Sequence, residues 1–177
     1  MKKERFSRRK FFQKAAAGGM GLAMGTALSE QIVDLWVAKA EHGAAALDLH
    51  QMLTLAAIAA QIIPTDEVPG AKEAGVVDYI NTKLKDTPSL RSLYQNGFRE
   101  VDTLSKNKFS GPLVSLDPLQ QKEVLKSLER SKFFTQVWRD TVEGFLHSSV
   151  GKEVVGYPGG AQPHGYHDIA SPPKKNS

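Results

Sequence analysis

From Asp48 onward the apolar positions of the chain recur at three- and four-residue spacing. Leu49, Met52, Leu53, Ala56, Ala60 and Ile63 form the first stripe, the period of an amphipathic helix. Asp48 is placed to cap it and Pro64 to end it. Thr65 to Gly70, with two acids, a proline and a glycine, reads as a loop. A second helix is predicted from about Lys72 to Lys85 on Ala74, Val77, Ile80 and Leu84. Gly75 inside it costs about 1 kcal/mol relative to alanine, so it marks either close packing or a later start. Thr87-Pro88-Ser89 restarts the chain, and Leu90, Leu93, Tyr94, Gly97, Val101 and Leu104 give a third helix ending near Ser105. Asn107 to Ser115 is read as a connector. Asp117-Pro118-Leu119-Gln120 has an acid at N-cap, proline at N1 and glutamine at N3, the signature of a helix start. The last helix spans Lys132 to Ser148 on Phe134, Val137, Trp138, Thr141, Val142 and Phe145, with Gly151 closing it. No stretch alternates with period two over a strand's length. The expected fold is therefore all-α, a compact bundle of about five helices over residues 41–155. Residues 41–47 are read as a flexible lead-in. Residues 156–177 form an irregular Gly/Pro-rich C-terminal segment and tail.

The chain before Asp48 follows another pattern. Met1 to Lys14 carries seven Lys/Arg against Glu4 alone, and Ala15 to Leu28 is 14 residues of uncharged, Gly/Ala-rich apolar sequence. That run is short of the roughly 20 residues a membrane-spanning helix needs. Together with the small-residue site Ala38-Lys39-Ala40, these are the parts of a secretory signal. Ser7-Arg8-Arg9-Lys10-Phe11-Phe12 is similar to the twin-arginine export motif, with Arg8, Arg9 and Phe11 as its readable residues. Residues 1–40 are thus expected to be a twin-arginine signal peptide, cleaved at Ala38-x-Ala40, and the working protein to be periplasmic.

This assignment changes the meaning of the charge. The whole chain carries 23 Lys/Arg and 19 Asp/Glu, but residues 1–40 hold eight of the basic and three of the acidic residues, leaving 15 against 16. The basic character belongs to the leader, and nothing in the remainder points to nucleic acid as a partner. The absence of cysteine excludes disulfides, thiolate metal sites and a cysteine nucleophile.

Candidate chemistry is sparse. His164, His167 and Asp168 form H-x-x-H-D, a possible metal-binding set, but on a Gly/Pro-rich segment whose spacing fixes no geometry. His147 is placed to interact with a helix C-terminus, and His42 and His50 have no evident titratable partner. The chain contains no nucleophile elbow, P-loop, dinucleotide fingerprint or H-E-x-x-H. Phe133 and Phe134 are adjacent and cannot share one inward direction, so Phe133 is assigned to face a partner.

Four strings appear in order along the chain: Leu53-Thr-Leu-Ala-Ala-Ile-Ala-Ala-Gln-Ile-Ile-Pro-Thr-Asp66, Val68-Pro-Gly-Ala-Lys-Glu-Ala-Gly-Val-Val-Asp-Tyr-Ile80, Leu116-Asp-Pro-Leu-Gln-Gln121 and Gly156-Tyr-Pro-Gly-Gly160. In this the sequence resembles the gluconate 2-dehydrogenase subunit 3 family. The resemblance implies a non-catalytic small subunit, with no catalytic residue and no cofactor of its own. It implies as partner a flavin dehydrogenase catalytic subunit of the glucose–methanol–choline type, which would hold FAD, often with a multihaem cytochrome c subunit. The small subunit would help mature the flavoprotein and escort it through the twin-arginine translocase, with membrane association only through its partners. In the C-terminal segment Tyr157, Pro158, Gly159, Gly160 and Tyr166 suit a docking role, because the tyrosines offer large amphipathic contacts and the glycines allow close backbone approach. The competing reading is a free-standing periplasmic enzyme or metal-binding protein using the C-terminal histidines.

Overall fold

The computed structural model describes residues 30–41 and 45–157, and all regular structure among them is helical. Seven α-helices follow in order: α1 Glu30–Glu41, α2 Leu49–Ile62, α3 Val76–Asp86, α4 Pro88–Phe109, α5 Pro118–Leu128, α6 Lys132–His147 and α7 Ser149–Val154, with a 3-10 turn at Leu113–Ser115 before α5. The all-α bundle expected from the apolar periodicity is what forms.

Local chemistry explains the helix starts. Asp48 accepts from the Gln51 amide while the Gln51 side chain accepts from the Asp48 amide, a complete capping box, and Asp117 with Gln120 repeats it at α5. Ser131 and Ser148 cap α6 and α7 by accepting from the Phe134 and Gly151 amides. Gly75 settles the alternative left open for the second helix in favour of a late start. It takes the left-handed conformation at φ 68° as N-cap of α3, after a turn over 71–75.

The middle of the bundle is α2. It carries no Asp, Glu, Lys or Arg and packs against α1, α3, α5, α6 and the 3-10 turn. A helix apolar nearly all round is stable only when neighbours cover it, and Met52, Leu55, Ile58 and Ala59 are accordingly buried. A second centre lies between α4 and α6. There Tyr94, Phe98 and Phe133 meet edge to face, with ring centroids 5.6–5.9 Å apart.

Several expectations need correction. Residues 45–47 are anchored, not a flexible lead-in: Leu47 is buried, and the Ala46 and Leu47 amides donate to Asn81 Oδ1 at 2.8 and 3.1 Å. α4 runs on to Phe109, past the expected end near Ser105, and Phe109 at its far end packs on the core. Gly151 does not close the last helix. It lies inside α7, where a Cβ would stand 2.0 Å from Phe145 O, so it is glycine for the closeness of the α6–α7 junction.

Candidate partner cleft and polar clamp

Three of the four strings fold around one cleft. Its floor is the small-residue face of α2, including Ala56 and Ala60, and its walls are the loop after Pro64, one face of α5 along its length and Phe134 of α6. Trp36 of α1 borders one end, and the volume is about 810 Å³.

The loop from Ile63 to Gly75 is held shut from within. Ala71 N donates to Ile63 O at 3.0 Å, and Val68 N donates to Asp66 Oδ1 at 3.1 Å, an Asx turn. Glu73 Oε2 accepts from both the Thr65 hydroxyl at 2.7 Å and the Gly70 amide at 2.9 Å. Burial disfavours that carboxylate, but the bonds from Thr65 and the backbone outweigh burial and hold its pKa below the ordinary value. At Gly70 a Cβ would lie 2.6 Å from the backbone of Ile63 and Pro64, so only glycine permits this crossing. The wall formed by α5 is fixed by two glutamines. Gln61 Nε2 donates to Pro118 O and Gln121 Oε1, and Gln121 Nε2 donates to Leu113 O and Leu116 O, all at 3.1–3.2 Å. Gln61 and Gln121 lie in the family strings, but their pairing spans 60 residues and leaves no local signal.

The structure distributes the sequence candidates unevenly. Phe133 is buried at 3% exposure against Gly97, Tyr94 and Phe98, which corrects its assignment to a partner-facing position. Phe134 is the member of the pair that lines the cleft. Trp138, placed in the inward stripe by its spacing, is 52% exposed. Tyr157 is also exposed. Ala38 and Ala40 fall inside α1. Arg8, Arg9, Phe11, Pro158, Gly159, Gly160, His164, Tyr166, His167 and Asp168 lie outside the described residues. His50, without an evident partner in sequence, pairs with Asp102 at 2.9 Å, and the His147 ring sits against Tyr79 at 5.8 Å. Among the described residues no group of three or more His, Cys, Asp or Glu could hold a metal ion, and no helix is long and apolar enough to cross a membrane.

A polar cluster lies apart from the cleft, between α3, α4 and α6. Asp140 is fully buried. Its carboxylate accepts from the Tyr94 hydroxyl at 2.7 Å, from Lys83 Nζ at 2.9 Å and from Gln136 Nε2 at 2.9 Å. Lys83 also donates to Glu143 at 2.6 Å. Burial, then the Asp140 carboxylate, pushes the Tyr94 hydroxyl well above the ordinary tyrosine range. Burial, then the bond to Glu143, raises Tyr79. Burial opposes the Lys83 ammonium, yet the bonds to Glu143 and Asp140 outweigh it and raise its pKa. Glu143 is lowered by its bonds from Lys83 and then Tyr79. Each of these shifts moves the group away from neutral pH, opposite to what a general acid or base requires. The cluster is a clamp between helices.

This clamp sets an alkaline limit. Groups whose folded pKa is raised contribute stability that is fully present below the unfolded value, about 10 for Tyr and Lys, and lost as pH rises through the folded value. The melting temperature is expected to fall as pH rises above about 10, and Tyr94→Phe to flatten that fall. Thermal melts by circular dichroism across this range provide the check. Identical slopes for the two proteins would remove Tyr94 from the account.

Neither a curated protein nor a solved structure matches the chain. The family model described as Gluconate 2-dehydrogenase subunit 3 matches residues 49–160, more than half of the sequence and nearly all of the helical body. With three of the resembling strings gathered around one cleft and the family model spanning the body that holds them, the chain belongs to the gluconate 2-dehydrogenase subunit 3 family.

Proposed function

We propose that this protein is the non-catalytic small subunit of a periplasmic flavin-dependent dehydrogenase. It binds a catalytic subunit of the glucose–methanol–choline type, supports its maturation and carries it through the twin-arginine translocase. The family, a dehydrogenase subunit, supports a role inside an oxidoreductase complex. The observation that carries the reading furthest is the cleft. Strings distant in sequence spend their glycines, glutamines and capping groups on shaping one apolar surface, which is what a subunit that works by docking requires. FAD belongs to the partner on this reading, and a multihaem cytochrome c subunit would accept the electrons.

The twin-arginine route carries folded cargo, and flavin is inserted into a folded chain in the cytoplasm. A flavoprotein lacking its own leader can therefore cross bound to this subunit. Co-expression with such a flavoprotein, followed by purification through a tag on this chain, is expected to yield a yellow complex. Changing Arg8→Lys and Arg9→Lys together is expected to reduce the partner's periplasmic activity to background while the yellow complex still forms in the cytoplasm. Recovery of the small protein alone, colourless, with partner export unchanged in the double variant, would remove the reading.

A further inference from the structure

We infer that α1 is a docked part of the folded body and that this docking holds the Ala38-Lys39-Ala40 processing site in helical form, which a protease cannot engage. Processing is then open only to molecules in which α1 has let go. The inference rests on the export reading for its biological meaning, and on contacts for its substance.

Trp36 is buried to 3% exposure, and Ile32 packs beside it on the core. The Trp36 indole N–H points toward Asp78 Oδ2 at 3.5 Å. Lys39, the middle residue of the site, donates from Nζ to Asp78 Oδ1 on α3. The chain is caught again beyond the site, where the Ala46 and Leu47 amides donate to Asn81 Oδ1. Asp78 and Asn81 are three residues apart on α3, about 4.5 Å along its axis. Lys39 just before the Ala40–Glu41 bond, and Ala46 and Leu47 further along the chain, are thus held at neighbouring positions on one helix.

A protease binds its substrate as extended chain, at about 3.3 Å per residue. Here the bond lies within the last turn of α1. Extending the backbone on both sides of it requires α1 to unwind and the Lys39 or Trp36 anchor to release. Cleavage of a folded molecule then follows the population of that locally opened state. Residues 30–41 accordingly stay with the exported protein, as a helix covering one end of the cleft.

The test uses the purified full-length chain and elastase, a protease that cuts after small residues, with fragments beginning at Glu41 followed by mass spectrometry. The wild type is expected to be cut slowly there. Trp36→Ala and Asp78→Lys are expected to raise the initial rate by roughly tenfold or more. Asp78→Lys leaves the cut sequence intact and alters a side chain 39% exposed, so it decides the matter even if Trp36→Ala unfolds. Wild-type cleavage at the variants' rate would overturn the inference. In cells, the exported wild type is expected to retain residues 30–41, and a wild-type product starting at Glu41 also overturns it. If no form of the chain is exported, the export reading fails and the elastase rates still decide the docking.

Discussion

Asp140→Ala is expected to lower unfolding stability by about 3 kcal/mol, the lower end of the range for breaking a buried charge pair. Asp140 is fully buried and accepts three hydrogen bonds, from Tyr94, Lys83 and Gln136. Removing it leaves the buried Tyr94 hydroxyl with no acceptor, which alone costs about 1–3 kcal/mol. Lys83 suffers less, because its side chain is 30% exposed and keeps Glu143. Asp140→Asn retains an acceptor for Tyr94 and is expected to lose about half as much. Urea denaturation of the purified chain checks both. A loss under about 1 kcal/mol for Asp140→Ala would show that the clamp is replaceable.

The second large effect lies at the contact of α4 with α6. At Gly97 a Cβ would stand 2.1 Å from two ring carbons of Phe133. That ring is enclosed by Tyr94 and Phe98, so it has nowhere to retreat. Gly97→Ala is expected to cost about 3 kcal/mol, near the upper end for overpacking. Phe133→Ala, which opens a cavity, is expected to cost about 3–5 kcal/mol. The double variant is expected to cost about 1–3 kcal/mol less than the two single losses combined, because the added methyl enters the space the ring vacates. Strict additivity in the denaturation midpoints would mean that the two positions do not share a contact.

These two sites also mark where sequence reading stops. Helix starts were legible because their chemistry is local: Asp48 with Gln51 and Asp117 with Gln120 each lie within one turn. The inward face of α6 was half legible, since Val137, Thr141 and Phe145 of the expected stripe are buried. Its buried residues are Phe133, Val137, Asp140, Thr141, Gly144 and Phe145. Phe134 and Trp138 fit the same period and are more apolar than Asp140 and Gly144, so the pattern drew one edge of the stripe to the wrong side. Asp140 and Gly144 turn inward because of residues distant in sequence. Tyr94 and Lys83 reach Asp140 across 46 and 57 residues, and Tyr79 packs where a Cβ on Gly144 would stand 2.8 Å from its ring. No local signal reports a lysine arriving from another helix.

The cleft was half legible. The strings around it could be read as loop, cap and small-residue helix, and the family match follows the same residues. Their convergence could not, since Gln61 meets Gln121 only after the bundle closes. α1 was hidden for a different reason. Its residues follow a charged and then apolar N-terminal stretch, and the small residues around Lys39 carry the mark of a processing site more strongly than Trp36 carries the mark of a core.

The two anchors on α3 give the body a definite mechanical layout. A pull on the N-terminal side of α1 enters α3 at Asp78 through Trp36 and Lys39. One turn and a half further along, Lys83 hands the load to Asp140 and Glu143 on α6, and Tyr94 ties α4 to the same carboxylate. Tension on the N-terminal side of α1 therefore runs in series, from α1 to α3 and onward through Asp140 to α6 and α4. Its first link, Lys39 to Asp78, is partly exposed, so α1 lets go before the buried clamp beneath it does.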